Sequence, residues 1–262
     1  MVAIGFDIGS SFVKGALVDV ETGKPIARAR VPEVEIPMDA EQLGWAEQHP
    51  NLWWQYLCEA TQKLLTESNI NADQISSIGI SYQMHGLVLV DRDLNPLRKS
   101  IIWCDSRATP YGEKAFEKLG KGYCKDHLLN SPGNFTASKL AWVIDNEPER
   151  YQKSYKLMLP GDFLAAKLSG IPQTTITSLS EGIFWDFKND QVSKALFDHY
   201  QIDQSLVPEV VDNFTVQATV SKHGAQATGL KEGTPITYRA GDQPNNAYTL
   251  GAQKAGGVGA TG

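Results

Sequence analysis

The chain opens with VAIGFDIGSSFVKGALVDV, Val2 to Val20, and the reading of this stretch decides the fold. Val2 to Asp7 is mostly apolar, as a strand in the middle of a sheet requires. Ile8-Gly9-Ser10-Ser11 reads as a short turn, after which Phe12 to Val20 resumes strand character and stops at Glu21-Thr22-Gly23-Lys24. A third strand is predicted over Ile26 to Val34. Three strands joined by tight turns form an antiparallel meander. Downstream the pattern changes. Asn51 to Ser68 carries apolar residues at three- and four-residue spacing and reads as an amphipathic helix. Strands are predicted over Ile75 to Ser81, Leu87 to Asp91, Lys99 to Trp103, Phe184 to Phe187 and Ile236 to Arg239. Helices are predicted over Pro110 to Leu119, Ala137 to Asn146, Asp162 to Leu168 and Ser193 to Tyr200. A meander followed by alternating helices and strands implies an α/β fold, a mixed sheet flanked by helices.

Composition bounds the function. The 262 residues are 42% hydrophobic and 21% charged, with a formal net charge of −6. That is ordinary for a globular protein and too apolar for a disordered one. A mildly acidic chain is a poor partner for nucleic-acid phosphates or an anionic membrane surface, and no run of about 18 apolar residues marks a membrane span. Cys58, Cys104 and Cys124 lack metal-site spacing and include an odd one, so neither a disulfide framework nor a zinc site is indicated. With no secretory leader in the opening residues, the cytoplasm is the expected compartment.

Three segments carry chemistry. In GFDIGSSFVKG an acid, Asp7, closes a strand and Gly9, Ser10 and Ser11 form the turn. Small residues there leave backbone N–H groups free to approach a polyphosphate, and the two serines add hydroxyl donors. Asp7 could hold a hydrated Mg²⁺ at the mouth of the turn. Lys14 is a candidate charge partner for phosphate, although strand alternation leaves its direction open. The loop is no Walker A sequence, and an ordinary β-hairpin accounts for the same residue types equally well. The second segment, YRAGDQPNNAYTLG, ends a strand at Asp242. An acid there can serve as general base or cation ligand, or simply as a helix N-cap. The third, SYQMHGLVLVD, places His85 between a strand and a glycine, with Met84 as an apolar wall; for a lone His and Met, core packing with a satisfied imidazole is the commoner reading. In IIWCDSR, Asp105 and Arg107 read as caps of the helix that follows. The terminal G-x-G-x-x-G at Gly257, Gly259 and Gly262 lacks the helix and distal acid of a dinucleotide fingerprint, so a nicotinamide dehydrogenase is disfavoured.

Together these segments resemble the FGGY family of carbohydrate kinases, and within it the branch that acts on xylulose. DIGSSFVKG is similar to the family's first phosphate loop, and GWAEQHPNLWW to the segment before its first long helix. YQMHGLVLVD resembles the sugar segment and IIWCDSR the W-x-D-x-R motif. SPGNFTASKLAWV, LPGDFLAAKLSG and SLSEGIFWD follow in the family's order. AGDQPNNAYTLG resembles the stretch with the catalytic acid, and GGVGATG the start of a second phosphate loop. The resemblance implies an actin-like, ribonuclease-H-like fold in which sugar and ATP meet between two domains. It implies Asp242 as the base, Met84, His85 and Gln243 as sugar contacts, and Asp7, Gly9, Ser10, Ser11 and Lys14 around phosphate and Mg²⁺. Two departures bear on sugar choice: Gln243 stands where Asn often follows the acid, and Cys104 where Asn is common.

The expected activity is ATP-dependent phosphorylation of a ketopentose, D-xylulose to D-xylulose 5-phosphate. Alternatives are a kinase for ribulose, gluconate or glycerol, or a non-enzymatic actin-like nucleotide-binding protein. Residues 1–245 are expected to form the sugar-binding domain and 246–262 the start of an ATP-binding domain whose remainder would be its partner. These residues alone are expected to bind sugar and turn over ATP poorly. A homodimer is compatible with the family.

Overall fold

The computed structural model describes residues 1–251. Its centre is a six-stranded sheet built from β1 (Val2–Ile8), β2 (Val13–Asp19), β3 (Pro25–Val31), β4 (Ile75–Tyr82), β5 (Ala218–Thr219) and β6 (Pro235–Gly241), in the order β5-β6-β4-β1-β2-β3. The first three strands form the expected antiparallel meander. β4 and β6 add to it in parallel with β1, and β5 closes the edge antiparallel to β6. The sheet is therefore mixed.

Alternation along β1 explains its two faces. Val2, Ile4, Phe6 and Ile8 are buried, while Ala3, Gly5 and Asp7 point the other way. The buried face meets helix α1 (Pro50–Ser68), which presents Trp53, Leu57, Ala60 and Leu64 at helical spacing. α1 is started by His49, whose Nδ1 accepts the Asn51 N–H, and by Pro50 in the first turn, where a missing N–H costs nothing. Gly15 of β2 is required by this contact, since a Cβ there would lie 2.8 Å from Leu64 Cδ1.

Further helices include α2 (Thr109–Leu119), α3 (Thr136–Asn146), α4 (Pro160–Ser169), α5 (Ile176–Glu181), α6 (Lys194–Tyr200), α7 (Lys222–Thr228) and α8 (Asp242–Thr249). α4 and α7 complete the core on the α1 side, with Phe163, Leu164 and Leu168 buried. A second core gathers Leu140, Val143, Phe184, Leu196 and Phe197 among α2, α3 and α6.

Several strand expectations shrink, among them Phe184 to Phe187, of which only Trp185–Asp186 is paired. Val88–Val90 pairs with Lys156–Met158 in a ladder outside the main sheet, and only Ser100–Ile101 of the Lys99 to Trp103 stretch is paired. Short helices such as α5 and α7 were not predicted, because one or two turns carry too little periodicity. No helix among the described residues is long and apolar enough to cross a membrane. The glycines at 257, 259 and 262, with the second phosphate loop they suggest, lie outside the described residues.

Candidate active site

The register of the parallel strands creates the site. Ile8 of β1 faces Tyr82 of β4, and Tyr82 faces Gly241 of β6, so the three strands end level with one another. Chain segments leaving these ends diverge and open a crevice, the usual ligand position in open α/β sheets. Asp7, the Gly9-Ser10-Ser11 turn, Met84, His85 and Asp242 all sit at or just beyond these ends. Residues from three distant segments are brought to one edge.

The first turn is held from behind. Gln48, 1% exposed, donates from Nε2 to the Ser10 carbonyl (2.6 Å), and its Oε1 accepts from Trp53 Nε1 (3.1 Å) and Gln83 Nε2 (3.3 Å). Gln83 N–H in turn donates to the Ile8 carbonyl (2.7 Å). The Gly9 N–H is consumed within the turn by the Phe12 carbonyl (3.0 Å), so Gly9 shapes the loop and does not offer a donor. The Ser10 and Ser11 N–H groups make no hydrogen bond among the described residues. Lys14 resolves the direction left open by its strand: it stands opposite Asp7 on the open face and donates to Asp7 Oδ2 at 3.0 Å. Trp103 lies exposed at the same edge, its Nε1 3.4 Å from Ser10 Oγ.

Met84, His85 and Gln243 line one cavity of 430 Å³, with Phe135, Ile183 and Glu181 among the other walls. Asp7 and Lys14 line a separate depression of 520 Å³ on the open sheet face. Asp242 lies between the two groups. It is the first residue of α8, and Gly241 is the cap, so the N-cap reading of Asp242 is replaced by one with its carboxyl at the strand–helix junction. Burial, with the charge of Asp7 added, raises the Asp242 pKa above the usual aspartate value.

His85 adopts a left-handed backbone, φ 62°, rare for a residue with a side chain. Its ring stands edge-on to Phe135 at 4.4 Å, and Nδ1 lies 3.0 Å from the Glu181 main-chain carbonyl. A carbonyl only accepts, so Nδ1 carries the proton and Nε2 is left as an acceptor. Burial, helped by the nearby Lys139 charge, lowers the His85 pKa to about 4, and the ring is neutral at physiological pH. Gly86 follows because Pro160 is packed against it, 2.6 Å from where a Cβ would sit.

Asp105 and Arg107 do not cap α2, which begins after Ala108 without a side-chain cap. They form a buried ion pair: Arg107 Nη2 reaches Asp105 Oδ2 at 2.6 Å, and Nη1 reaches Glu47 at 2.7 Å. Arg98 bridges the same Glu47 (2.6 Å) to Glu147 (2.9 Å). The Arg107 guanidinium lies over Trp45, 3.7 Å from its ring centre. This network braces the loop that carries Trp103.

Two functional candidates escaped sequence reading. Lys139 on α3 is fully buried and donates to the carbonyls of His85 (2.9 Å) and Ile102 (3.0 Å), tying both site loops together. Burial lowers its pKa to about 7. Glu181 ends α5, is 6% exposed, and accepts the His85 N–H at Oε1 (3.3 Å). The acid in SLSEG was its one visible signal.

The chain is similar to known proteins over nearly its whole length. Residues 2–248 match the family model described as the N-terminal domain of the FGGY family of carbohydrate kinases. A xylulose kinase of Bacillus subtilis is 32% identical over 258 residues, covering 97% of this chain and 50% of the relative. Among solved structures, a xylulose kinase from Rhodospirillum rubrum superposes with a TM-score of 0.88 at 24% identity, covering 98% of this chain and 52% of that one. A Plasmodium falciparum glycerol kinase with ADP gives 0.87 at 21%, covering 98% and 51%. The fold is that of these sugar kinases, the actin-like ATPase fold, and the chain spans about half the length of the curated relatives it matches.

Proposed function

The chain belongs to the FGGY family of carbohydrate kinases, and from that premise we propose that it forms the sugar-binding half of an ATP-dependent ketopentose kinase, with D-xylulose as substrate and D-xylulose 5-phosphate as product. In this reading residues 1–245 hold the sugar and 246–262 begin the nucleotide domain. The observation that carries the choice of a neutral sugar over a sugar acid is the uncharged character of the 430 Å³ cavity; D-xylulose among neutral sugars is favoured by the Met84-His85-Gly86 segment and by the xylulose kinase relatives. No Lys or Arg is among its described lining residues, His85 is neutral, and Glu181 is driven toward its neutral form by burial. A sugar acid such as gluconate calls for a cation to match its carboxylate, whereas a neutral pentulose does not.

Asp242 is the proposed base. It lies beyond β6 beside the cavity, and as a carboxylate it orients the terminal hydroxyl and takes its proton late in phosphoryl transfer. Met84 supplies an apolar wall, His85 Nε2 accepts from a sugar hydroxyl, and Gln243 adds a polar contact. The free N–H groups of Ser10 and Ser11 and the Lys14 ammonium suit phosphate oxygens. Asp7 would hold hydrated Mg²⁺. The donor set fits, because Mg²⁺ keeps several waters and takes one or two carboxylates together with substrate phosphates, and no cage of three or more ligands is present among the described residues. ATP, when bound, supplies the γ-phosphoryl group.

Calorimetric titration of the chain with D-xylulose, ribulose, gluconate and glycerol, without nucleotide, tests the reading. D-Xylulose is expected to bind tightest; tighter gluconate binding refutes the neutral-cavity argument, and nucleotide binding without any sugar binding favours a non-enzymatic actin-like protein. Joined to the second half of a xylulose kinase relative, the chain should release ADP with D-xylulose. Asp242→Asn should then lower turnover by about 100- to 10,000-fold with sugar affinity little changed.

A further inference from the structure

We propose that Glu181 is a positioning residue of the sugar site, clamping His85 at two points so that the imidazole keeps one tautomer and one orientation toward the cavity. The inference rests on the sugar-kinase reading above. The first contact is the His85 N–H donating to Oε1 at 3.3 Å, and the second is Nδ1–H donating to the Glu181 main-chain carbonyl at 3.0 Å. A left-handed His persists only where its surroundings over-determine it, and here Lys139 Nζ adds a third contact to the His85 carbonyl at 2.9 Å. Removing the carboxyl takes away the one side-chain contact that holds the His85 amide.

The other carboxyl oxygen has a different situation. Oε2 is buried and has no hydrogen-bond partner among the described residues. It shares with Met84 Cγ the space that a side chain at Gly241 would fill. The Tyr82 hydroxyl, near enough to influence the carboxyl, is turned to Ser178 at 2.8 Å. The charged groups facing Glu181 are Asp162 on α4, which is itself paired with Arg239 of β6 at 2.7 Å, and Asp242 on α8. Lys139 on α3 is engaged by carbonyls on the far side of His85. Burial first, then these two like charges, holds the Glu181 pKa well above the usual glutamate value. The neutral carboxyl is therefore the form the site favours. In either form Oε1 remains an acceptor for the His85 N–H, and the carboxylate is the stronger one.

Two measurements test this. In the ligand-free chain, the His85 amide resonance should move with pH at a midpoint above the ordinary glutamate range, because its proton is bonded to the titrating carboxyl; the movement should vanish in Glu181→Gln. A flat His85 amide, or a midpoint in the ordinary range, overturns the proposal. In calorimetric titrations with D-xylulose, Glu181→Gln, which keeps an acceptor, should bind within about 3-fold of the unaltered chain, while Glu181→Leu should lose about 10-fold. Undiminished binding by Glu181→Leu, or a Glu181→Gln loss as large as that of Glu181→Leu, also overturns it. If the unaltered chain binds none of the sugars, the sugar-kinase reading itself fails, and the amide titration alone decides whether the clamp exists.

Discussion

Replacing Gly241 by alanine probes the tightest point of the site. A Cβ at this position would stand 2.3 Å from Glu181 Oε2 and 2.6 Å from Met84 Cγ, against 3.4–4 Å for ordinary contact. The carboxyl must therefore withdraw by about 1 Å, and Glu181 is too buried to swing into solvent. Overpacking of this kind costs about 1–3 kcal/mol. The same displacement pulls Oε1 from the His85 amide and pushes Met84 into the 430 Å³ cavity, so under the proposed function sugar affinity should drop by about 10-fold or more. Urea unfolding measures the first effect and calorimetric titration with D-xylulose the second. A double-mutant cycle isolates the cause. Glu181→Ala vacates the space, so the combined variant should be less destabilised than the two single changes suggest, by about 1 kcal/mol or more. Strict additivity, or a Gly241→Ala protein with unaltered stability and affinity, would refute the close-packing argument.

Three further outcomes follow from burial and charge. Asp105→Ala leaves the buried Arg107 with Glu47 as its remaining carboxylate and should destabilise the protein by about 3–5 kcal/mol in urea unfolding; a loss below about 1 kcal/mol contradicts the network. The Lys139 pKa falls from 10.5 to about 7 on folding. Between these values the unfolded chain holds the proton and the folded one does not, so this residue makes stability rise with pH across that window. Lys139→Met should remove the rise, and a pH-independent stability difference between the two proteins would count against it. His85 falls from 6.5 to about 4. Its neutral burial contributes stability above the unfolded value that is lost as pH drops from about 6.5 through 4. The His85→Gln protein should lack this component, and denaturant midpoints that track those of the unaltered chain over the whole range would exclude it.

Much of the active edge was legible before folding was considered. Asp7, Met84, His85 and Asp242 each stand at the end of a segment whose period-2 or apolar pattern marks a strand, and strand ends are where an α/β sheet places ligands. The resemblance to sugar kinases added the roles proposed for them. Asp105 and Arg107 were misread as helix caps because the partner that explains them, Glu47, is sixty residues from Arg107. No local pattern connects the two. Lys139 was hidden for a related reason: on an amphipathic helix a lysine is expected to face water, and only the carbonyls of His85 and Ile102 give it a reason to turn inward.

The division has a physical basis. Local sequence determined the meander, α1 and the strand ends, since backbone geometry and side-chain periodicity act over a few residues. Tertiary structure alone decided which groups are charged. His85 is neutral with its proton on Nδ1, Lys139 is depressed toward neutrality, and Glu181 and Asp242 are raised. These states arise from desolvation and from charges on other elements, and both exist only once distant segments have packed around the same crevice.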